Sequence, residues 1–399
     1  MSGGEPVPAD GTLPDGALAG LGTRPFGIYV HVPFCTTRCG YCDFNTYTAT
    51  ELGAGAVSPA TYAQLAIREI EFARKVLGPA VVSTVFFGGG TPTLLAPRAI
   101  GQILGAIDAE FGLAPGAEVT SEANPESVTP ASLHELRAAG VSRMSFGMQS
   151  AVPEVLAVLD RVHQPGRPAQ CVGWAREAGF EHLSLDLIYG TPGESDADWS
   201  ASVKAAIDAG PDHVSAYSLT VEPGTRLAAR VRRGELPPPD DDVLAGRYVV
   251  ADELLTAAGY GWYEISNWAR SEPARCAHNV LYWTGGDWWG AGPGAHSHVG
   301  GTRWWNVRHP AAYADRMSAG VSPGQAREVL TGEEKHLEEI MLLVRLESGC
   351  PLALLDAEGK AAVGGLVDDG LAVVAGDRLV LTRRGRLLAD TVVRALVPN

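Results

Sequence analysis

A partial barrel of six strand–helix units, followed by a smaller and mainly helical module, is the α/β fold that this sequence predicts. Three observations carry the prediction. Six short apolar runs alternate with amphipathic stretches, a pattern of parallel strands joined by right-handed crossovers. Polar or chemically distinctive residues gather at the downstream ends of five of those runs, the face where parallel α/β folds build their sites. The chain, at 399 residues, is also longer than one small core requires, so a second unit is expected. A doubly wound open sheet is the alternative for the same element order.

The first 24 residues contain Glu5, Asp10 and Asp15, no base before Arg24 and no apolar core. They read as a disordered tail, not a signal peptide. Strands are expected at 27–33, 81–88, 118–122, 142–147, 183–189 and 213–220. Helical periodicity occupies 59–77, 97–111, 129–140, 152–179 in two pieces, 195–208 and 240–258. Residues 25–260 thus form the barrel. The stretch 261–325 reads as a connecting region, and its part from 262 to 308 holds seven of the nine tryptophans. From 326 to 399 a long helix (326–346), short helices, the hairpin-like DGLAVVAGDRLVLT and a final helix resemble a winged-helix module. Residues 351–399 carry six acidic and six basic side chains, so packing or partner contact suits this module better than DNA.

Composition narrows the function. Hydrophobic residues make up 46% and charged residues 19%, and the net charge is −15. Nucleic-acid partners are disfavoured, because phosphate binding needs a basic surface. No stretch approaches the roughly 18 apolar residues of a membrane span. Three of the six cysteines fall within eight residues and the others (Cys171, Cys276, Cys350) are scattered. That spacing argues for metal ligation in a reducing compartment, the cytoplasm, over a disulfide framework.

Cys35-Thr-Thr-Arg-Cys39-Gly-Tyr-Cys42 follows the first strand. Three thiolates on one tight loop can hold three corners of an iron–sulfur cube and leave the fourth iron open. A zinc site of three cysteines completed by a histidine such as His31 is the other reading, although zinc favours paired CxxC knuckles. Phe87-Gly-Gly-Gly-Thr-Pro-Thr93 ends the second strand, where glycines let backbone approach a ligand closely. Glu122 ends the third strand, Gln149 follows the fourth and Asp186 lies within the fifth. Carboxylates there can accept from hydroxyl and amino groups, while Gln and Arg side chains donate to oxygens.

The segment IYVHVPFCTTRCGYCDF resembles the radical S-adenosylmethionine (SAM) family that includes oxygen-independent coproporphyrinogen III oxidase and its haem-chaperone paralogues. The resemblance runs on through Glu122-Ala-Asn-Pro125, Ser145-Phe-Gly-Met-Gln-Ser150, Asp160-Arg-Val-His163, Asp186-Leu-Ile-Tyr-Gly190 and His278-Asn-Val-Leu-Tyr-Trp283. It covers about residues 25–399. It implies a [4Fe–4S] cluster on Cys35, Cys39 and Cys42, with SAM on the open iron. It further implies SAM contacts from Tyr29, Tyr41, Gly89, Gly90, Thr91, Glu122, Gln149, Arg161 and Asp186, with His31 and His163 as framework near the cluster.

Within that family the oxidase branch carries a fourth cysteine two residues after the third, where this chain has Phe44. The chaperone branch has phenylalanine there, so the resemblance implies a carrier that binds haem and delivers it to acceptor haemoproteins, including membrane-bound respiratory enzymes, and that can form a homodimer. His278 is the first candidate for a haem-site residue, followed by His296, His298 and Cys276, because imidazole and thiolate are haem ligands. The surrounding aromatic cluster can equally serve to roof the barrel. The rival expectation is a SAM-dependent coproporphyrinogen III dehydrogenase of porphyrin biosynthesis.

Overall fold

The computed structural model describes residues 4–52 and 57–397. Six consecutive strands form its centre: β1 (Phe26–Val32), β2 (Val82–Gly89), β3 (Leu113–Ala123), β4 (Arg143–Gln149), β5 (His182–Tyr189) and β6 (His213–Ser218). Each pairs in parallel with the next. The intervening helices are α1 (Pro59–Leu77), α2 (Pro97–Phe111), α3 (Pro130–Ala138), α4 (Pro153–Val158), α5 (Arg167–Glu177) and α6 (Asp196–Ala209). After β6 come α7 (Arg226–Arg232) and α8 (Asp241–Ala257). Proline in the first turn starts α1 to α5, and capping boxes at Ser58, Thr129 and Ser195 fix three starts. Such caps pair amide donors that the first helical turn leaves free.

The sheet does not close. Its order is linear, and strands from outside the six units extend both edges. Asp287–Ala291 joins β1 in parallel, and His296–Val299, Thr302–Asn306 and Gly324–Val329 follow antiparallel. On the other side Asn267–Ala269 and Gly261–Glu264 flank β6. Residues 261–325 are therefore part of the main sheet, which corrects their reading as a connecting region.

Two further expectations change. Residues 4–24 are not a disordered tail. Glu5 and Pro6 pair with Arg327 and Ala326, Val7 and Leu13 pack on the core, and Arg24 holds the buried Asp287 at 2.9 Å. The partner of this segment lies some 320 residues away in sequence, so its local composition hides the ladder it completes. The helix expected over 326–346 begins instead at Gly332 and ends at Leu343, because Gly324–Val329 finishes the sheet and Thr331 caps the helix with Glu334.

Past that helix, Ala357–Asp368, the hairpin Ala372–Ala375/Arg378–Leu381 and Ala389–Leu396 enclose a separate apolar core. This helix–hairpin–helix order matches the winged-helix-like expectation. Arg386 reaches back to Asp252 on α8 at 2.9 Å and lies over the Trp262 ring. One of the module's bases is thereby engaged within the chain.

Glu69 joins the barrel to its added strands. It is fully buried on α1 and accepts from Trp289 Nε1 (3.2 Å), Asn306 Nδ2 (2.8 Å), the Gly292 amide (2.7 Å) and Tyr313 Oη (2.6 Å). Removing the carboxyl strips the buried Trp289 indole and Gly292 amide of their acceptor, each costing about 1–3 kcal/mol if unrelieved, whereas Asn306 keeps the Gly290 and Gly292 carbonyls and Tyr313 the Leu65 carbonyl. Glu69→Ala should lose about 3 kcal/mol or more of stability in urea unfolding, and Glu69→Gln less, since one amide oxygen can still accept.

Candidate functional site

The downstream ends of β1 to β6 surround a cavity of about 530 Å³ that continues into the barrel interior. This lies within the roughly 300–1,000 Å³ typical of small-molecule sites. Cys35, Cys39 and Cys42 stand together at its rim as half-buried free thiols. Their loop is closed by bonds from the Cys35 amide to the Tyr47 carbonyl (3.0 Å) and from the Tyr47 amide to the Pro33 carbonyl (2.7 Å). Burial pushes the Cys35 thiol up and the Cys42 thiol to about 11. Thr91 Oγ1, 4.0 Å from Cys35 Sγ, opposes the shift of that thiol, and Arg161 Nη1 lies 3.6 Å from Cys39 Sγ.

The glycine loop after β2 is packed against the cysteine loop. Gly89 has φ +102°, and a Cβ there would lie 2.5 Å from the His31 ring; a Cβ on Gly90 would lie 2.4 Å from the Phe34 carbonyl oxygen. Backbone bonds Gly90 N to Val32 O and Thr91 N to Phe34 O, both 2.8 Å, hold the approach. The Gly89 amide also donates to Glu122 Oε2 at 3.2 Å.

Glu122 and Asp186 face the same cavity. Burial, reinforced by the nearby Asp186 charge, raises Glu122 to about 8. Burial raises Asp186 as well, against a hydrogen bond from Ser145 at 2.8 Å. Gln149 lines the cavity with φ +63°, a conformation that a side-chain-bearing residue rarely adopts and that recurs at functional sites. Arg161 is anchored by the Gly147 carbonyl at 2.5 Å. Tyr41 joins this wall.

Tyr29 does not. Its hydroxyl meets His31 Nδ1 at 3.0 Å, and it lies near Glu122 behind the lining. His31 Nε2 lies 3.0 Å from the Asn45 carbonyl. With both ring nitrogens engaged, His31 does not complete a three-cysteine zinc site. His163 is buried.

The expected haem-site residues fall in different settings. His278 is 1% exposed; Nδ1 lies 2.8 Å from Thr84 Oγ1 and Nε2 lies 2.8 Å from Tyr282 Oη. Burial pushes its pKa down to about 3. It plugs the barrel interior and offers no free nitrogen. Cys276 lies at the inner end of the cavity, 3.6 Å from Glu118 Oε1. His298 is buried beside Trp288, and exposed His296 stacks on Trp305. The other motif residues, Asn279, Tyr282 and Trp283, line a neighbouring groove of about 380 Å³ with Tyr217 and Glu264.

Sequence reasoning missed the cavity's inner wall: Arg143, Ser145, Ser184, His213 and Ser215. Their signal was a polar stripe at every second position of β4, β5 and β6, because alternate side chains point inward.

A family model described as the Radical SAM superfamily matches residues 29–206. The heme chaperone HemW of Mycobacterium tuberculosis is 54% identical over 95% of this chain and 97% of its own. HemW of Bacillus subtilis is 32% identical over 92% and 98%. Among solved structures, the coproporphyrinogen III oxidase HemN of Escherichia coli superposes with a TM-score of 0.80 at 24% identity, covering 95% of this chain and 92% of that one. Barrel, cysteine loop and glycine loop are those of a radical SAM protein. Within that superfamily the chain belongs to the HemW family.

The engagement of both His278 nitrogens generates a test. His278→Ala should cost about 2–4 kcal/mol in urea unfolding without haem, because Thr84 and Tyr282 lose buried partners. A stability equal to that of the unmodified chain would reject the plug.

Proposed function

We propose that this chain is a haem chaperone that binds haem and passes it to acceptor haemoproteins, respiratory enzymes among them, while carrying a [4Fe–4S] cluster and SAM. The observation that carries this reading is near full-length likeness to HemW proteins, with Phe44 where the oxidase branch has cysteine. Phe44 is 60% exposed at the cavity rim. Likeness to HemN supports the shared fold alone.

The residues present fit the cofactors. Cys35, Cys39 and Cys42 are the thiols that would hold the cluster, with Thr91 beside the Cys35 sulfur and Arg161 beside the Cys39 sulfur as donors. Glu122 and Asp186 suit a ligand bearing cationic groups, because neither buried carboxylate forms a salt bridge among the described residues, and Arg143 and Arg161 act on Asp186 only at longer range. Tyr41, Gly89, Gly90, Thr91, Gln149 and Arg161 complete the SAM-contact set in this reading. When bound, cluster and SAM supply an electron donor and a reducible sulfonium. For haem, the aromatic groove of Tyr282, Trp283 and Tyr217 is the better candidate, since flat π-faces suit a porphyrin. A cytoplasmic setting accords with six free thiols. Homodimer formation is part of the same reading.

Two measurements test it. Reconstituted protein, given haem, should show a Soret shift and transfer haem to an apoprotein. Given SAM, a reductant and coproporphyrinogen III without oxygen, it should form no protoporphyrinogen IX; turnover on the order of 1 s⁻¹, an ordinary enzyme rate, would establish the dehydrogenase instead. SAM binding should also depend on pH. A cationic ligand favours ionised Glu122 and thus promotes proton release, so affinity should rise as pH increases toward about 8 and level off above it. Isothermal titration of Glu122→Gln should show that slope flattened.

A further inference from the structure

Asp160 stands at the left-handed stop of α4 with φ +54°, a place where glycine is the usual residue. Its carboxylate oxygen Oδ2 accepts from Arg226 Nη1 at 3.0 Å. The same oxygen would lie 2.5 Å from a Cβ on Gly40, the residue between Cys39 and Tyr41 in the cysteine loop. We propose that the Asp160–Arg226 pair is a latch over Gly40 that positions Cys39, a role that rests on reading Cys35, Cys39 and Cys42 as cluster ligands.

The geometry assigns each part of the latch. The Gly40 amide donates to the Leu159 carbonyl at 3.3 Å, and the Gly40 carbonyl accepts from the Leu227 amide at 2.8 Å. The residue before Asp160 and the residue after Arg226 therefore grip Gly40 from both sides. The ion pair joins the two grips. One residue further on, Arg161 reaches Cys39 Sγ at 3.6 Å, so a shift at Asp160 is passed to that contact.

Global stability does not account for the arrangement. The Arg226 side chain is 65% exposed and that of Asp160 30%, and water weakens such a pair. Aspartate also occupies a backbone conformation that glycine would adopt with less strain. What the pair does provide is a fixed distance between the loops flanking Gly40. A Cβ on Gly40 would displace the Asp160 carboxylate and so break the latch. The α7 end of the latch follows the β6 exit, where Leu219, Thr220 and Glu222 line the cavity mouth. Asp160 and Arg226 are positioning residues, since neither is required to touch a cofactor.

The test uses the full chain without cofactors and then the reconstituted protein. Asp160→Gly relieves the backbone and removes the latch; Arg226→Met removes only the charge partner. In both, amide hydrogen exchange at Gly40 and Leu227 should accelerate by about tenfold, as expected for a local opening, while the thermal midpoint stays unchanged or rises in Asp160→Gly. After reconstitution both variants should load iron normally yet show a shifted cluster midpoint potential, with Arg226→Lys restoring part of the shift. Unchanged exchange in both variants would overturn the latch. Faster exchange spread evenly through the barrel would also overturn it, as would an unaltered potential beside a loosened loop. Failure of the unmodified chain to assemble any cluster would instead strike the cluster reading, and the exchange measurement on the cofactor-free chain would still decide whether the latch holds the loop.

Discussion

The site depends on one backbone approach, that of Gly90 to the Phe34 carbonyl. The two residues lie where β1 and β2 leave the sheet, and their chains continue side by side through the Gly90–Val32 and Thr91–Phe34 bonds. A Cβ at position 90 would stand 2.4 Å from that carbonyl oxygen, so any side chain must push the loops apart. Cys35 follows Phe34 directly and Thr91 follows Gly90. The contact of Thr91 with Cys35 is therefore a consequence of backbone packing, before any ligand is considered. The GGGT run is first a requirement for bringing two loops together, and only then a candidate surface for SAM.

The core of the fold was legible because its determinants are local. The apolar runs, the prolines in first turns and the Ser and Thr caps each act within a few residues, and the six strands and their helices appear close to their expected bounds. Edge strands were illegible for the opposite reason. Glu5–Pro6 and Gly324–Val329 are short and polar, and neither makes sense until paired with the other. A polar segment with a distant partner looks like a tail or a helix when read alone. The capping box of Thr331 and Glu334 is the local signal for a helix start at Gly332, six residues past the expected start at Ala326.

The candidate site divides along the same line. Cysteine spacing and the charged residues at strand ends carry their chemistry in the residue type, and the structure brings Cys35, Cys39, Cys42, Glu122, Gln149, Arg161 and Asp186 to one cavity. Histidine does not carry its role in its type. His278 has the chemistry of a haem ligand, but its neighbours Thr84 and Tyr282 occupy both nitrogens, and Thr84 lies 194 residues away. The HNxxYW motif consequently splits: its histidine seals the barrel while Asn279, Tyr282 and Trp283 face a groove.

Charge ties these parts together. Arg38 is paired with Glu51 at 3.3 Å and Arg143 with Glu118 at 3.7 Å. Arg161 bonds to a backbone carbonyl and a cysteine sulfur, and no carboxylate forms a salt bridge with it among the described residues. Its charge acts on the thiols and, at longer range, on Asp186. Glu122 and Asp186, by contrast, form no salt bridge among the described residues and accept from the Gly89 amide and the Ser145 hydroxyl, with Arg143 and Arg161 acting on Asp186 only at longer range. Burial then favours their protonated forms, as the upward shift of Glu122 to about 8 records. A cavity with one cation beside its sulfurs and, opposite, two carboxyls without a direct ion pair is incompletely satisfied in both halves. An anionic thiolate set and a ligand carrying positive charge relieve the two halves together, which is the chemical division that a cluster and SAM require.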